Sequence, residues 1–386
     1  MAVFRKKKQT SAVDKSVRVV ENDLGVIDLP YLILTLLLTV IGLLMLFSAS
    51  YARAYHETNN AASVFISQLL FAGLGIGVMY FFSRVPYEWY QKFALLILGG
   101  ALVLLALVPL IGSESGGAQR WIRLGFISFQ PSEIAKFAVI VSFAAIMAAH
   151  TKDMKTFKYG FAPYLIILGV IAVLLYLEPH MSATVIILGL GFILMILGGT
   201  NWKFLAGLAG AGIVLVAVYL LTQGYTGDRI SAWLNPESDP LDKGLQILQS
   251  QYAIGSGGLL GLGFGRSRQK YLYLPEEHND YIFAIVCEEL GFVGALGILI
   301  LFALLIIRGY WIAMHARDRF SMLLAAGLTT LLAIQVILNV AVVTNLLPST
   351  GISLPFFSYG GTALIMQLAE NGMMLNISRS ISQSPK

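Results

Sequence analysis

Five acidic residues crowd the stretch YLPEEHNDYIFAIVCEELG, residues 273–291: Glu276, Glu277, Asp280, Glu288 and Glu289. They open an apolar run that carries no further charge until Arg308. A carboxylate where water gives way to lipid can act as a general base once partial burial and like-charge neighbours lift its pKa from about 3.9. Asp280 has that setting, with Glu276 and Glu277 close by in sequence. An acid favoured by a helix N-terminal dipole explains its position equally well. On a helix starting here, Glu288 and Glu289 fall about 12 Å deeper, Glu288 turned about 80° from Asp280 and Glu289 on the opposite side. They form no compact pair with Asp280 and read as supporting groups facing a bundle interior or a wet cavity. Ala284, Cys287, Gly291 and Gly294 share Asp280's face as a stripe of small residues suited to close helix packing.

Other candidates flank this stretch. Glu133 and Lys136, at i and i+3, can pair on one helix face. That pair is either a structural ion pair or, lining a cavity, a holder of a charged ligand. Arg120, Arg123, Arg229, Arg266, Arg268 and Lys270 form a cationic set in loops. Arginine forks suit phosphate, with nonspecific lipid anchoring as the competing reading. Trp121 is placed for a membrane interface. His278 reads as a polar loop residue, with a base as the alternative. Ser358 joins the candidate substrate-binding set from the segment LLPSTGISLPFFSYGG, 346–361. Several motifs fail: GLGFG at 261–265 lacks the Lys-Ser/Thr of a nucleotide loop, and the five scattered histidines make no HExxH pattern. The lone Cys287 rules out an internal disulfide.

The elements that must position these groups are membrane helices. Of 386 residues, 57% are hydrophobic and 12% charged, about half the charge of a soluble domain. Stretches of about 20 mostly apolar residues, enough to cross the hydrocarbon core, occur at 30–50, 62–82, 93–112, 131–149, 161–177, 181–199, 203–222, 281–307, 320–346 and 357–377. The expected fold is all-α, a polytopic protein of ten transmembrane helices. Seventeen of the 26 lysines and arginines fall on the N-terminal side of the membrane, so both termini are expected in the cytoplasm. Residues 1–29 and 378–386 are expected as cytoplasmic tails around a 30–377 membrane domain. The net charge of +5 reflects this loop bias, and no aromatic-basic stripe accompanies it to suggest nucleic acid.

Three segments face outside on this topology. The long external loop 223–280, between spans seven and eight, holds DKGLQILQSQYAIGSGGLLGLGFG. Leu245, Leu248 and Tyr252 there have helical spacing, predicting a short interfacial helix. The glycine-rich turn after it is too apolar for water and is expected to fold back onto the membrane or into a cavity. Segment 112–133 reads as ordered, and 346–361, rich in proline and glycine, as a bent link.

The blocks GGAQRWIRLGFISFQPSEIAKF, LQILQSQYAIGSGGLLGLGFGRSRQKYLYLPEEHNDYIFAIVCEELGFVG and LPSTGISLPFFSYGGTALI closely resemble the signatures of the SEDS family (shape, elongation, division and sporulation proteins), nearest its FtsW/SpoVE branch. The resemblance runs from about residue 27 to 380. It implies a peptidoglycan glycosyltransferase acting on lipid II in the bacterial cytoplasmic membrane. The implied partners are a class B penicillin-binding protein, other division or sporulation proteins and membrane lipids. The family's essential aspartate falls on Asp280, its arginine before tryptophan on Arg120, and its glutamate and lysine on Glu133 and Lys136. Arg120, loop arginines or a divalent cation (Mg or Mn) would meet the leaving pyrophosphate. Two departures stand out: Asn279 replaces a frequent threonine, and in EPHMSAT, 178–184, His180 stands where many members carry an acid. No role carries over to His180. The rival readings are a lipid II transporter and a non-catalytic scaffold for a penicillin-binding protein.

Overall fold

The computed structural model describes residues 25–115, 118–124, 127–178, 180–222, 232–240 and 244–381. Every stretch expected to span coincides with a helix: α1 (Leu29–Thr58), α2 (Ser63–Phe82), α3 (Ala94–Ile111), α4 (Pro131–Ala149), α5 (Ala162–Leu177), α6 (Met181–Gly198), α7 (Trp202–Thr222), α9 (Ile282–Met314), α10 (Arg319–Val343) and α11 (Gly361–Ile381). A further helix, α8 (Leu245–Gly257), lies between α7 and α9. Among the described residues eight helices are long and apolar enough to cross a membrane, with α5 extended back to Phe157; α11 falls outside that group. For α11 the reason is its interior position. It carries Glu370, Asn371 and Asn376, all buried, and packs along α2 more extensively than any other two elements meet. Lipid offers little hydrophobic drive between helices, so close packing and buried polar bonds hold such bundles together. Tyr31 Oη donates to Asn371 Oδ1 at 2.7 Å across α1 and α11.

Asp28 fixes one end of the bundle. It caps α1 by accepting from Tyr31 N at 3.0 Å, and the Arg308 guanidinium donates to both its oxygens at 2.7–3.0 Å. The start of α1 and the far part of α9 therefore share one end, which also holds the Asp318 capping box of α10.

The opposite end carries the irregular segments. Segment 112–130 is a three-stranded antiparallel sheet of β1 (Ser113–Ser115), β2 (Ala118–Leu124) and β3 (Ile127–Phe129), with Arg123 opposite Ser128. Link 346–360 is bent and non-helical, as its prolines and glycines predict. Helix α8 forms where its spacing predicts, but its buried face is Ile247, Leu248, Ser250, Ala253 and Gly257, packed on α9 and α10, while Tyr252 is 57% exposed. The expected face through Leu245, Leu248 and Tyr252 is thus divided, Leu248 packing inward and Tyr252 left exposed.

A second correction concerns α9. Asp280 precedes this helix, which begins at Ile282, and Gly291 breaks it with a left-handed φ of 66°. The helical face drawn from Asp280 through Ala284 to Gly291 and Gly294 is therefore not one continuous stripe.

Candidate active site

A cavity of about 440 Å³ opens between the β-sheet, the start of α4, the α5–α6 link, the 276–280 turn and the 346–360 link. Arg120, Trp121 and Arg123 enter it from β2, Glu133 and Lys136 from the first turns of α4, Asn279 and Asp280 from the turn before α9. Strand geometry sends Arg120 and Trp121 to opposite faces, yet both line the cavity.

Lys136 Nζ stands 2.7 Å from Glu133 Oε2, the lysine buried and the carboxylate half-buried. This is the i, i+3 pair expected on one face, and it lines the cavity. Beside it, Gln130 Nε2 lies 3.2 Å from His180 Nε2. Burial, then Arg120 and Lys136, push the His180 imidazole down to about 3, so it stays neutral in a cationic surrounding. Glu178, 1% exposed, is pushed up to about 8 by burial, Arg120 opposing, and its carboxyl oxygens have no hydrogen-bond partner among the described residues.

Asp280 is held through its backbone. Three successive carbonyls of the acidic turn each accept one bond from outside it: His278 O from Tyr359 N at 2.9 Å, Asn279 O from Ser358 Oγ at 2.8 Å and Asp280 O from Asn339 Nδ2 at 2.8 Å. Asn339 donates also to Ile352 O at 2.6 Å, and Ser358 Oγ accepts from Leu354 N at 2.7 Å. At Gly351, φ 68°, a Cβ would come within 3.1 Å of Asp280 Oδ2. Only glycine gives that φ without strain, and it brings the link's backbone against the carboxylate. At the other end of the turn Arg53 forks onto Glu277 with two bonds of 2.7 Å. Burial pushes Glu277 up, but bonding from His278 and Arg53 carries it below the usual carboxylate range. The Asp280 carboxylate itself accepts no hydrogen bond from the described residues, and it faces the cavity. Burial, and after it Glu276, push it up to about 6, against the lowering influence of His278 and Arg120.

Arg120, Trp121, Glu133, Lys136 and Asp280 are thus brought together from three separate parts of the chain. Other candidates are not. His278 lies outside the cavity lining, beside Glu277 at 3.7 Å. Ser358 lines only a small side pocket of about 40 Å³, its hydroxyl committed to the turn. Arg266 and Arg268 are exposed and do not line the cavity, and Arg229 lies outside the described residues. Lys270 is corrected most sharply: it is 2% exposed and salt-bridged to Glu289 at 3.0 Å, so it is a buried countercharge and not a substrate cation. Glu288 and Glu289 take no part in the cavity, as their depth along α9 predicts.

Sequence reasoning missed Gln130, His180 and Gln335 as cavity residues, and Asn339 as the holder of Asp280. A signal existed for the last two, because a polar side chain inside an apolar span calls for a partner.

The family model described as "Cell cycle protein", covering FtsW, RodA and SpoVE, matches residues 29–383. The chain belongs to this family. Among FtsW/RodA/SpoVE proteins, it is 41% identical over 360 residues to the stage V sporulation protein E of Bacillus subtilis, covering 91% of this chain and 97% of that one. It is 40% identical to a probable peptidoglycan glycosyltransferase FtsW of Geobacter sulfurreducens, covering 93% and 96%. Among solved structures it is similar to a chain of a peptidoglycan synthase complex that coordinates polymerization and crosslinking, with a TM-score of 0.77, 28% identity and coverage of 93% and 99%. The rod shape determining protein RodA of Thermus thermophilus gives a TM-score of 0.70 at 26% identity, covering 93% and 98%.

Proposed function

We propose that this chain is a peptidoglycan glycosyltransferase that polymerises lipid II at the outer face of the bacterial cytoplasmic membrane, for division or sporulation. The observation that carries the reading is the Asp280 carboxylate, its backbone carbonyl held by Asn339 and its oxygens left to a cavity shared with Arg120 and the Glu133–Lys136 pair. Asp280, pushed up to about 6, takes the proton from the 4-hydroxyl of an acceptor N-acetylglucosamine. That oxygen attacks the anomeric carbon of the donor N-acetylmuramic acid, inverting it to a β-1,4 bond. The bond to the pyrophosphate oxygen breaks, and the polyprenyl pyrophosphate leaves with its charge facing Arg120 and Lys136. Trp121 offers a flat face to a sugar ring. Among the described residues no three His, Cys, Asp or Glu side chains come together to hold a metal. A protein-only Mg or Mn site does not fit this wall, and no step here passes through one.

The same reading takes all ten long helices as spans, both termini as cytoplasmic and 223–280 as an external loop. The cavity then opens at headgroup level, where a lipid-anchored sugar reacts while its tail stays in hydrocarbon. A class B penicillin-binding protein is the expected partner for crosslinking, a reading supported by the likeness to a chain of a peptidoglycan synthase complex. The test is polymerisation of lipid II by the purified chain, alone and with such a partner, with and without a divalent cation, for wild type and Asp280→Asn. Glycan from wild type alone, with both proteins equally folded, supports the reading. Lipid II translocation in liposomes without any polymer overturns it in favour of a transporter.

A further inference from the structure

The break in α9 and the glycine-rich segment before it are complementary at the level of single hydrogen bonds. An unbroken helix would bond Phe292 N to Glu288 O and Val293 N to Glu289 O. The left-handed Gly291 cancels both bonds. Segment 257–263 fills all four vacated groups: Leu262 N donates to Glu288 O and Gly263 N to Glu289 O, both at 3.0 Å, while Phe292 N donates to Gly258 O at 2.9 Å and Val293 N to Leu259 O at 3.1 Å. The approach is close enough that a Cβ on Gly261 would lie 2.1 Å from Glu289 O.

The two side chains then take the returning arm. Glu289 accepts from Gly265 N at 3.0 Å, Ser267 N at 3.2 Å and Ser48 Oγ at 2.7 Å, with Lys270 as countercharge. Glu288 accepts from Arg268 N at 2.9 Å, Gln269 N at 3.4 Å and Ser267 Oγ. Non-helical backbone can sit at membrane depth only where protein satisfies its polar groups. Here two carboxylates and a broken helix do so.

The register of these bonds sets the depth. Glu288 to Val293 lie six to eleven residues past the start of α9 at Ile282, roughly 9–16 Å along the helix. Helix α8 descends to that level: midway along it Ser250 Oγ bonds Val343 O at the end of α10, and its final Gly257 abuts Cys287 O. Leu259 (71%), Leu260 (81%) and Phe264 are exposed at the tip, continuous with exposed Phe292, Val293, Leu296 and Ile300 of α9. Exposed Arg266 and Arg268 follow on the rising arm, with stems long enough to carry their charge back toward lipid headgroups.

We propose that α8 and residues 258–265 form a re-entrant hairpin seated among the acyl chains of the outer leaflet, held there by the Gly291 break and the Glu288–Glu289 side chains. It rests on the reading of α9 as a span whose outer end is at Asp280. The occupant of the tip is phospholipid, because the tip continues the apolar outer face of a span and its polar backbone is turned inward.

The test uses nitroxides on single cysteines at Leu260, Phe264, Ile300 and Leu234, in a Cys287→Ala background reconstituted in bilayers. Collision with oxygen is compared with collision with a water-soluble nickel chelate. Leu260 and Phe264 are expected to behave like Ile300, relaxed by oxygen and protected from nickel, with Leu234 the reverse. Nickel-dominated relaxation at Leu260, or silence to both reagents from a covering protein surface, overturns the proposal. If Ile300 also meets nickel, the span reading has failed instead. Glu289→Gln should then move the Leu260 label toward the Leu234 pattern and leave the Ile300 label unchanged; no movement would remove the carboxylates from the holding role.

Discussion

Two acidic sites eight residues apart on one stretch of chain have opposite fates. Glu288 and Glu289 are saturated, their oxygens consumed by loop N–H groups, three serine hydroxyls and Lys270. Asp280 has its backbone secured and its carboxylate oxygens without a protein donor among the described residues. Both arrangements are buried enough to be costly. The first spends its bonding capacity on holding a fold, and the second keeps it for a substrate. Acid character in the sequence is the same at both; availability separates them.

The largest effect should come from Asp280→Asn. Glycan synthesis is expected to fall by about 10²–10⁴-fold, the range for losing a general base, with thermal unfolding in detergent unchanged. A variant that polymerises normally breaks the comparison outright. The mirror experiment is Glu289→Ala, which strands buried Lys270 and several N–H groups. Removing one member of a buried pair costs about 3–5 kcal/mol, so unfolding should shift strongly, and Lys270→Met in the same chain should restore part of it. Asn339→Ala tests whether the backbone rack matters for chemistry. It leaves the carbonyls of Asp280 and Ile352 without their shared donor. Misplacement of the reacting group can cost up to about 10²-fold, expected in kcat with KM little changed. A KM effect alone would make Asn339 a binding residue.

The smallest effect is a shift in pH. Asp280 must be ionised to accept a proton, so the rate should fall as pH drops through about 6. Glu276 raises that value by like-charge repulsion; Glu276→Gln should therefore move the acid limb to lower pH without changing the plateau. A limb that stays in place would assign the lift to burial alone.

Much of this architecture was legible beforehand. Apolar runs of spanning length marked every long helix, because the hydrocarbon core tolerates few alternatives to helices. Proline and glycine marked the bent 346–360 link, and the i, i+3 spacing marked Glu133 and Lys136 as a pair. The cationic set was less legible. Arg120 and Lys270 look alike in a list of loop charges, yet one lines the cavity and the other is enclosed beneath the hairpin. His180 and Gln130 carried no local signal, since they lie 50 residues apart and meet only in the folded chain.

By itself the amino-acid sequence determined the class of the protein, the number and place of its long helices and the residue types from which a site could be made. Those follow from local properties: hydropathy, spacing and backbone freedom. Which acid is reactive was decided only by tertiary structure. Availability depends on whether a donor arrives from 20 or 59 residues away, as Arg268 N does for Glu288 and Asn339 does for the carbonyl of Asp280. No local pattern encodes that arrival; it is settled when Gly291 breaks α9 and lets the hairpin in.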